Sequence, residues 1–278
     1  MSHWSLAWSI LVGCPADGDP GSGVETGEAP AAESGVAPTA ETGLPSEPCD
    51  ACLPEQVCDR DTCIHPAVLV FLDLDATGTF TYDPDRVDAA ADVQASDPSL
   101  VGSLPGYGSG PRRDDLLARV QEDFTRFVPT AEWPSPNGIR LVTERPTNRD
   151  DFHRVVTTPS PPIPGQVGLG SPINCGNQED DEIFFAFVSA ADGRSTQFQA
   201  NIVAQAIGGL LGLGRVAGSV DIMAGNFPFD QDLMVASGCQ NVLGTDLCSD
   251  FNLGFCPDGG QDTDAVLRFH ARQGATAP

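Results

Sequence analysis

From residue 66 onward the chain reads as strand, helix, strand, strand, helix, and no other feature limits its fold so strongly. The run "AVLVFLDLDA", residues 67–76, is β-branched and aromatic and reads as a buried strand that opens the main domain. "RRDDLLARVQEDFTRF" then places Leu116, Leu117, Val120, Phe124 and Phe127 on one face at helical spacing, with Arg and Asp opposite, as in an amphipathic core helix. "GIRLVTERP" is a second strand ended by Pro146, and "EIFFAFVSA" a third, carrying Ile183, Phe184, Phe185, Phe187 and Val188. "STQFQANIVAQAIGGLLGLG" opens at Ser195 or Thr196, either a good N-cap, and runs helical to its glycines. This order indicates an α/β (α+β) domain over residues 66–278. The tail from residue 226 is loop-like, punctuated by Pro228, Gly238, Gly244, Gly254 and "PDGG".

The chain ahead of that domain is of another kind. Residues 15–48 carry seven carboxylates, no base, six Pro and six Gly, with almost nothing large and apolar to bury. Such a stretch is a flexible acidic tether. Residues 1–14, "MSHWSLAWSILVGC", are apolar from Trp4 to Gly13 apart from two serines. That is too short to cross a bilayer as a helix and right for the core of a signal peptide. Its end, Leu11, Val12, Gly13, Cys14, resembles the lipobox of bacterial lipoproteins. The resemblance implies that Cys14 becomes the lipidated first residue of an exported protein, anchored at the periplasmic face or the cell surface.

Cysteine usage agrees with export. With Cys14 assigned to lipid, Cys49, Cys52, Cys58, Cys63, Cys175, Cys239, Cys248 and Cys256 remain, an even number. Residues 49–65 hold four of them with hardly any core former, so disulfides are expected to close that segment; a zinc knuckle is the sharper alternative. Cys239, Cys248 and Cys256 are expected to fasten the tail, with Cys175 as a further partner; connectivity is open. The formal net charge is -25 and all 14 basic residues are Arg. This surface repels phosphates and anionic head groups, which excludes nucleic acid as a partner.

One stretch carries a specific pattern. "VAQAIGGLLGLGRVAGSVDIMAG", residues 203–225, resembles the HExxHxxGxxH helix and Met-turn of the metzincin zinc proteases, matrixins included. Gly212 stands where that family's Gly ends the helix, and Met223, eight residues after Arg215, stands where its Met forms an apolar floor below the metal. The resemblance implies a metzincin-like mixed sheet with a central former active-site helix.

It also implies a lost site. Gln205, Gly209 and Arg215 occupy the positions of the zinc ligands: a weak amide oxygen, no side chain, and a permanent cation. Ala206 replaces the general base, a change that alone removes roughly 10² to 10⁴ in rate. No zinc is therefore expected. Arg215 either sits as an exposed Arg after the helix C-terminus, favoured by the dipole, or pairs with a carboxylate such as Asp221.

Other candidates are weaker. "DLDATG", with Asp73, Asp75, Thr77 and Gly78, echoes half a calcium loop, but Pro84 stands where the closing Glu is needed; "QEDDE", residues 178–182, reads as a solvated loop, with calcium at either place as the alternative. His3, His65, His153 and His270 read as isolated surface or loop histidines, and neither GxSxG nor GxxxxGK occurs. The expected function is a pseudoenzyme whose former cleft grips an extended polypeptide as an added strand. An active hydrolase with non-standard ligands and a purely structural envelope lipoprotein are the alternatives.

Overall fold

The computed structural model describes residues 8–11, 57–59, 62–64, 68–127, 138–147, 149–159, 161–170, 181–218, 220–225, 231–243 and 249–273. The strands are β1 (Trp8–Leu11), β2 (Val57–Asp59), β3 (Thr62–Ile64), β4 (Val68–Asp73), β5 (Thr81–Tyr82), β6 (Val93–Gln94), β7 (Ile139–Val142), β8 (His153–Thr157), β9 (Gln166–Gly170) and β10 (Ile183–Ala186). The helices are α1 (Pro111–Phe124), α2 (Thr196–Leu210), α3 (Ser249–Asn252) and α4 (Thr263–Gln273). The protein is of mixed α/β class.

The main sheet has the order β1-β9-β10-β8-β4-β7. β4 pairs in parallel with β7 and β8, and β8 in parallel with β10, while β9 runs antiparallel to β10. Parallel strands are stable when both faces are covered. Here they are, because successive residues of β4 point to opposite sides. Val68, Val70 and Leu72 face one core with Leu116, Val120 and Phe124 of α1 and Val203, Ile207 and Leu210 of α2. Leu69 and Phe71 face a second core with Phe80, Ala89, Leu100, Phe152 and Phe185. The segment between β4 and α1 supplies that second layer.

The two long helices are stopped by local chemistry. α1 begins at Pro111, whose missing N–H costs nothing in the first turn. In α2 the Ser195 hydroxyl accepts from the Phe198 amide at 3.1 Å. At its other end Gly212 has φ +76, and the amides of Gly212 and Leu213 bond the carbonyls of Gly209 (3.1 Å) and Gly208 (3.0 Å). That is a Schellman ending, in which Gly avoids the strain of a side chain at positive φ.

Three expectations need correction. The main sheet contains β8 and β9, which the sequence reading passed over between the second and third strands. β9 reads "QVGLG", poor in strand formers, and is held by its partners; at Gly170 a Cβ would collide with the Phe184 ring. The tail is not all loop, since α4 is an amphipathic helix that buries Val266, Leu267 and Ala271. Glu182 is not in a solvated loop but 3% exposed, its carboxylate 3.9 Å from the buried His153 imidazole.

Candidate functional site

The corner formed by α2, the chain that leaves it and the turn around Met223 brings most of the singled-out residues together. Gln205 is fully buried, and its Nε2 donates to Ala224 O at 3.1 Å and, more weakly, Ile222 O at 3.5 Å. The helix thus presents a strut to the turn around Met223. Ala206 and Gly209 are buried beside it. Gly208 lies against the thioether: a Cβ there would land on Met223 Sδ and 3.3 Å from Leu213 Cδ1. The missing side chain lets the turn approach the helix.

The turn is held from both sides. Val216 N bonds Met223 O at 2.9 Å, and Gly225 N bonds Val216 O at 2.9 Å. Asp221 is fully buried, with one carboxylate oxygen accepting from Met223 N and the other from Gln240 Nε2, each at 2.7 Å. Burial pushes the Asp221 carboxyl above its ordinary pKa, against those hydrogen bonds. The carboxylate is thus held by the Met223 and Ala236 backbones and by the Gln240 and Thr263 side chains. Arg215 is half-buried, and desolvation holds its pKa below the ordinary arginine value. It does not stand free in water as the simpler of the two expectations had it.

These residues do not fit zinc. Gln205 directs its amide nitrogen at carbonyls, Gly209 offers no donor atom, and Arg215 brings a positive charge. Among the described residues, the three metal-ligating side chains close enough to share an ion are Cys239, Cys256 and Asp258, and the two sulfurs are bonded to each other.

The calcium-like loop has its own cations. Asp73 accepts from the Thr77 amide at 2.8 Å and from Arg154 at 2.5 Å, and Asp75 is held by Arg113 at 2.6 and 2.9 Å. Guanidinium groups neutralise these carboxylates.

Of the four histidines, His153 lies on β8 and His270 on α4, 1% and 5% exposed, so neither is a surface or loop residue. His3 and His65, the lipidation candidate Cys14, and Cys49, Cys52, Cys175 and Cys248 lie outside the described residues. Cys58 and Cys63 stand opposite each other in the β2–β3 ladder. Cys239 is bonded to Cys256. The sequence reading missed the strut role of Gln205 and the part of Gln240, whose partner is 19 residues away; nothing in local spacing signals either.

Gly208→Ala tests the corner. Alanine favours the helix by about 1 kcal/mol, but overpacking against Met223 and Leu213 costs about 1–3 kcal/mol. A net loss is expected in urea unfolding. Met223→Val in the same chain should recover part of it, because the two residues touch and their effects are not additive.

Compared with family models, curated proteins and solved structures, the chain finds no match in any of the three.

Proposed function

We propose that this chain is a catalytically inactive, metzincin-like module of an exported lipoprotein, and that it binds extended polypeptide along the outer edge of β9. The observation that carries the reading is the pairing of β9 with β1: an extended segment from the far end of the chain lies antiparallel on this edge, with Trp8 opposite Gly170, Ser9 opposite Leu169 and Leu11 opposite Gln166. An uncovered strand edge presents unpaired N–H and C=O groups that recruit a further strand. Trp8–Leu11 falls within the segment read as the export signal. Processing before Cys14 removes that occupant and leaves the edge to a partner.

The grip is therefore placed at the sheet edge and not over α2, whose former ligand positions Gln205 and Gly209 are buried. The corner supports the metzincin reading through its spacing: helix, helix-ending Gly212, and Met223 packed against Gly208.

Two measurements test the proposal. Folded protein dialysed against trace zinc should hold close to no zinc by elemental analysis; one equivalent per chain sinks the inactive reading. Restoring Gln205→His, Ala206→Glu, Gly209→His and Arg215→His together should then raise binding to one zinc per chain. A restored chain that folds and stays metal-free removes the metzincin frame.

A further inference from the structure

The segment 239–243 braces the corner at several points. Gln240 donates from Nε2 to Asp221, Ala217 N bonds Asn241 O at 2.8 Å, and Leu243 N bonds Arg215 O at 2.7 Å. Val242 forms a bridge with Val216. This strap is tied to the chain leading into α4. Gln240 and Gln261 exchange backbone hydrogen bonds at 2.9 and 2.8 Å, and the Gln261 side chain bonds both N (2.7 Å) and O (2.9 Å) of Gly214. The covalent member of the tie is Cys239–Cys256, with a sequence separation of 17. Cys239 is exposed and Cys256 fully buried.

We infer that this disulfide is a latch. While it is closed, the strap presses residues 214–218 and 220–225 onto α2 and keeps Gln205 and its neighbours from solvent; when it is reduced, the strap lifts and the corner opens while the sheet stays folded. The reasoning is local. Val216, Ile222 and Met223 of the corner pack into the core, but the strap over them is fastened by hydrogen bonds between loops, and such ties open at lower cost than those of packed strands. Closing a loop of that length contributes roughly a hundredfold in the equilibrium between closed and open forms. A further sign of a corner built to open is Gln205 Oε1, buried with no hydrogen-bond partner among the described residues. Opening would hydrate it.

The chemistry requires a two-electron reductant of the dithiol class. One thiolate of the reagent attacks the exposed Cys239 sulfur, the Cys239–Cys256 bond breaks, and Cys256 leaves as a thiolate that takes up a proton. The second thiol of the reagent displaces Cys239 from the mixed disulfide, releasing the reagent as a cyclic disulfide. This inference concerns access to the corner and does not depend on what β9 binds.

The test is amide hydrogen exchange on the full chain, oxidised, treated with dithiothreitol, and as the oxidised double variant Cys239→Ser/Cys256→Ser. The amides of Val216, Ala217, Gly225 and Leu243 are expected to lose roughly a hundredfold in protection in both opened forms. Amides of β4, β8 and β10 should keep theirs. Unchanged protection at the corner overturns the latch, and so does an equal loss across the sheet, which would make the bond a global stabiliser only. If the double variant does not fold, wild-type chains in which mass mapping shows Cys239 and Cys256 alone alkylated give the same two readings.

Discussion

Arg154→Met is expected to destabilise the fold by about 3–5 kcal/mol, the range for removing one member of a buried ion pair. Arg154 is among the largest fully buried side chains of the described residues, 0% exposed. Its guanidinium donates to Asp73 at 2.5 and 3.1 Å, to Asp92 and to the Thr77 carbonyl, and lies 4.7 Å from the Phe80 ring centroid and 5.5 Å from that of Phe71. One planar cation thus joins β8 to the end of β4 and to the loop before β6. Methionine fills the volume but leaves Asp73 buried without its cation. Arg154→Lys should also lose most of the stability, because a single ammonium cannot reach the same set of acceptors in a fork geometry. Urea unfolding reads the effect. Adding Asp73→Asn to Arg154→Met should return part of the loss, and a cost below about 1 kcal/mol for the single variant contradicts the assignment.

Acid should weaken the fold through His270, by up to about 3 kcal/mol. Burial lowers its pKa from the ordinary histidine value of 6.5 to about 4, a hydrogen bond with the Leu211 backbone acting the other way. The ring stacks on Phe251 at 6.0 Å, and its Nε2 has no hydrogen-bond partner among the described residues. The folded pKa lies below the unfolded one, so between these values the unfolded chain binds the extra proton. Stability is therefore complete above pH 6.5 and declines as the pH falls toward 4. Asp221 acts oppositely: its carboxyl is raised, so what it contributes is present below pH 3.8 and lost as the pH rises through its folded pKa. The decisive quantity is thus the difference between wild type and His270→Leu, measured from pH 7 to 4. A difference that does not change over that range rules His270 out.

Much of the domain could be read from the chain because its signals are local. The five apolar positions of "RRDDLLARVQEDFTRF" share one helical face whatever surrounds them, and Leu116, Val120, Phe124 and Phe127 are fully buried. The buried run at Val68–Asp73, the Ser195 cap and the glycines after α2 are likewise properties of neighbouring residues. The spacing from Gln205 to Met223 marked out the corner before any coordinate did.

What sequence alone determined was therefore the α/β class, the apolar face of α1, the limits of α2 and the position of the corner, since periodicity, capping and glycine conformation act within a few residues. Tertiary structure alone decided the rest. β9 is a strand because β10 and β1 pair with it, not because "QVGLG" prefers to be extended. Arg154 meets Asp73 across 81 positions, and Gln205 meets Ala224 across 19. Burial leaves a polar side chain no water to turn to, so its partner is whichever group the fold brings within reach, and that choice has no counterpart in local spacing.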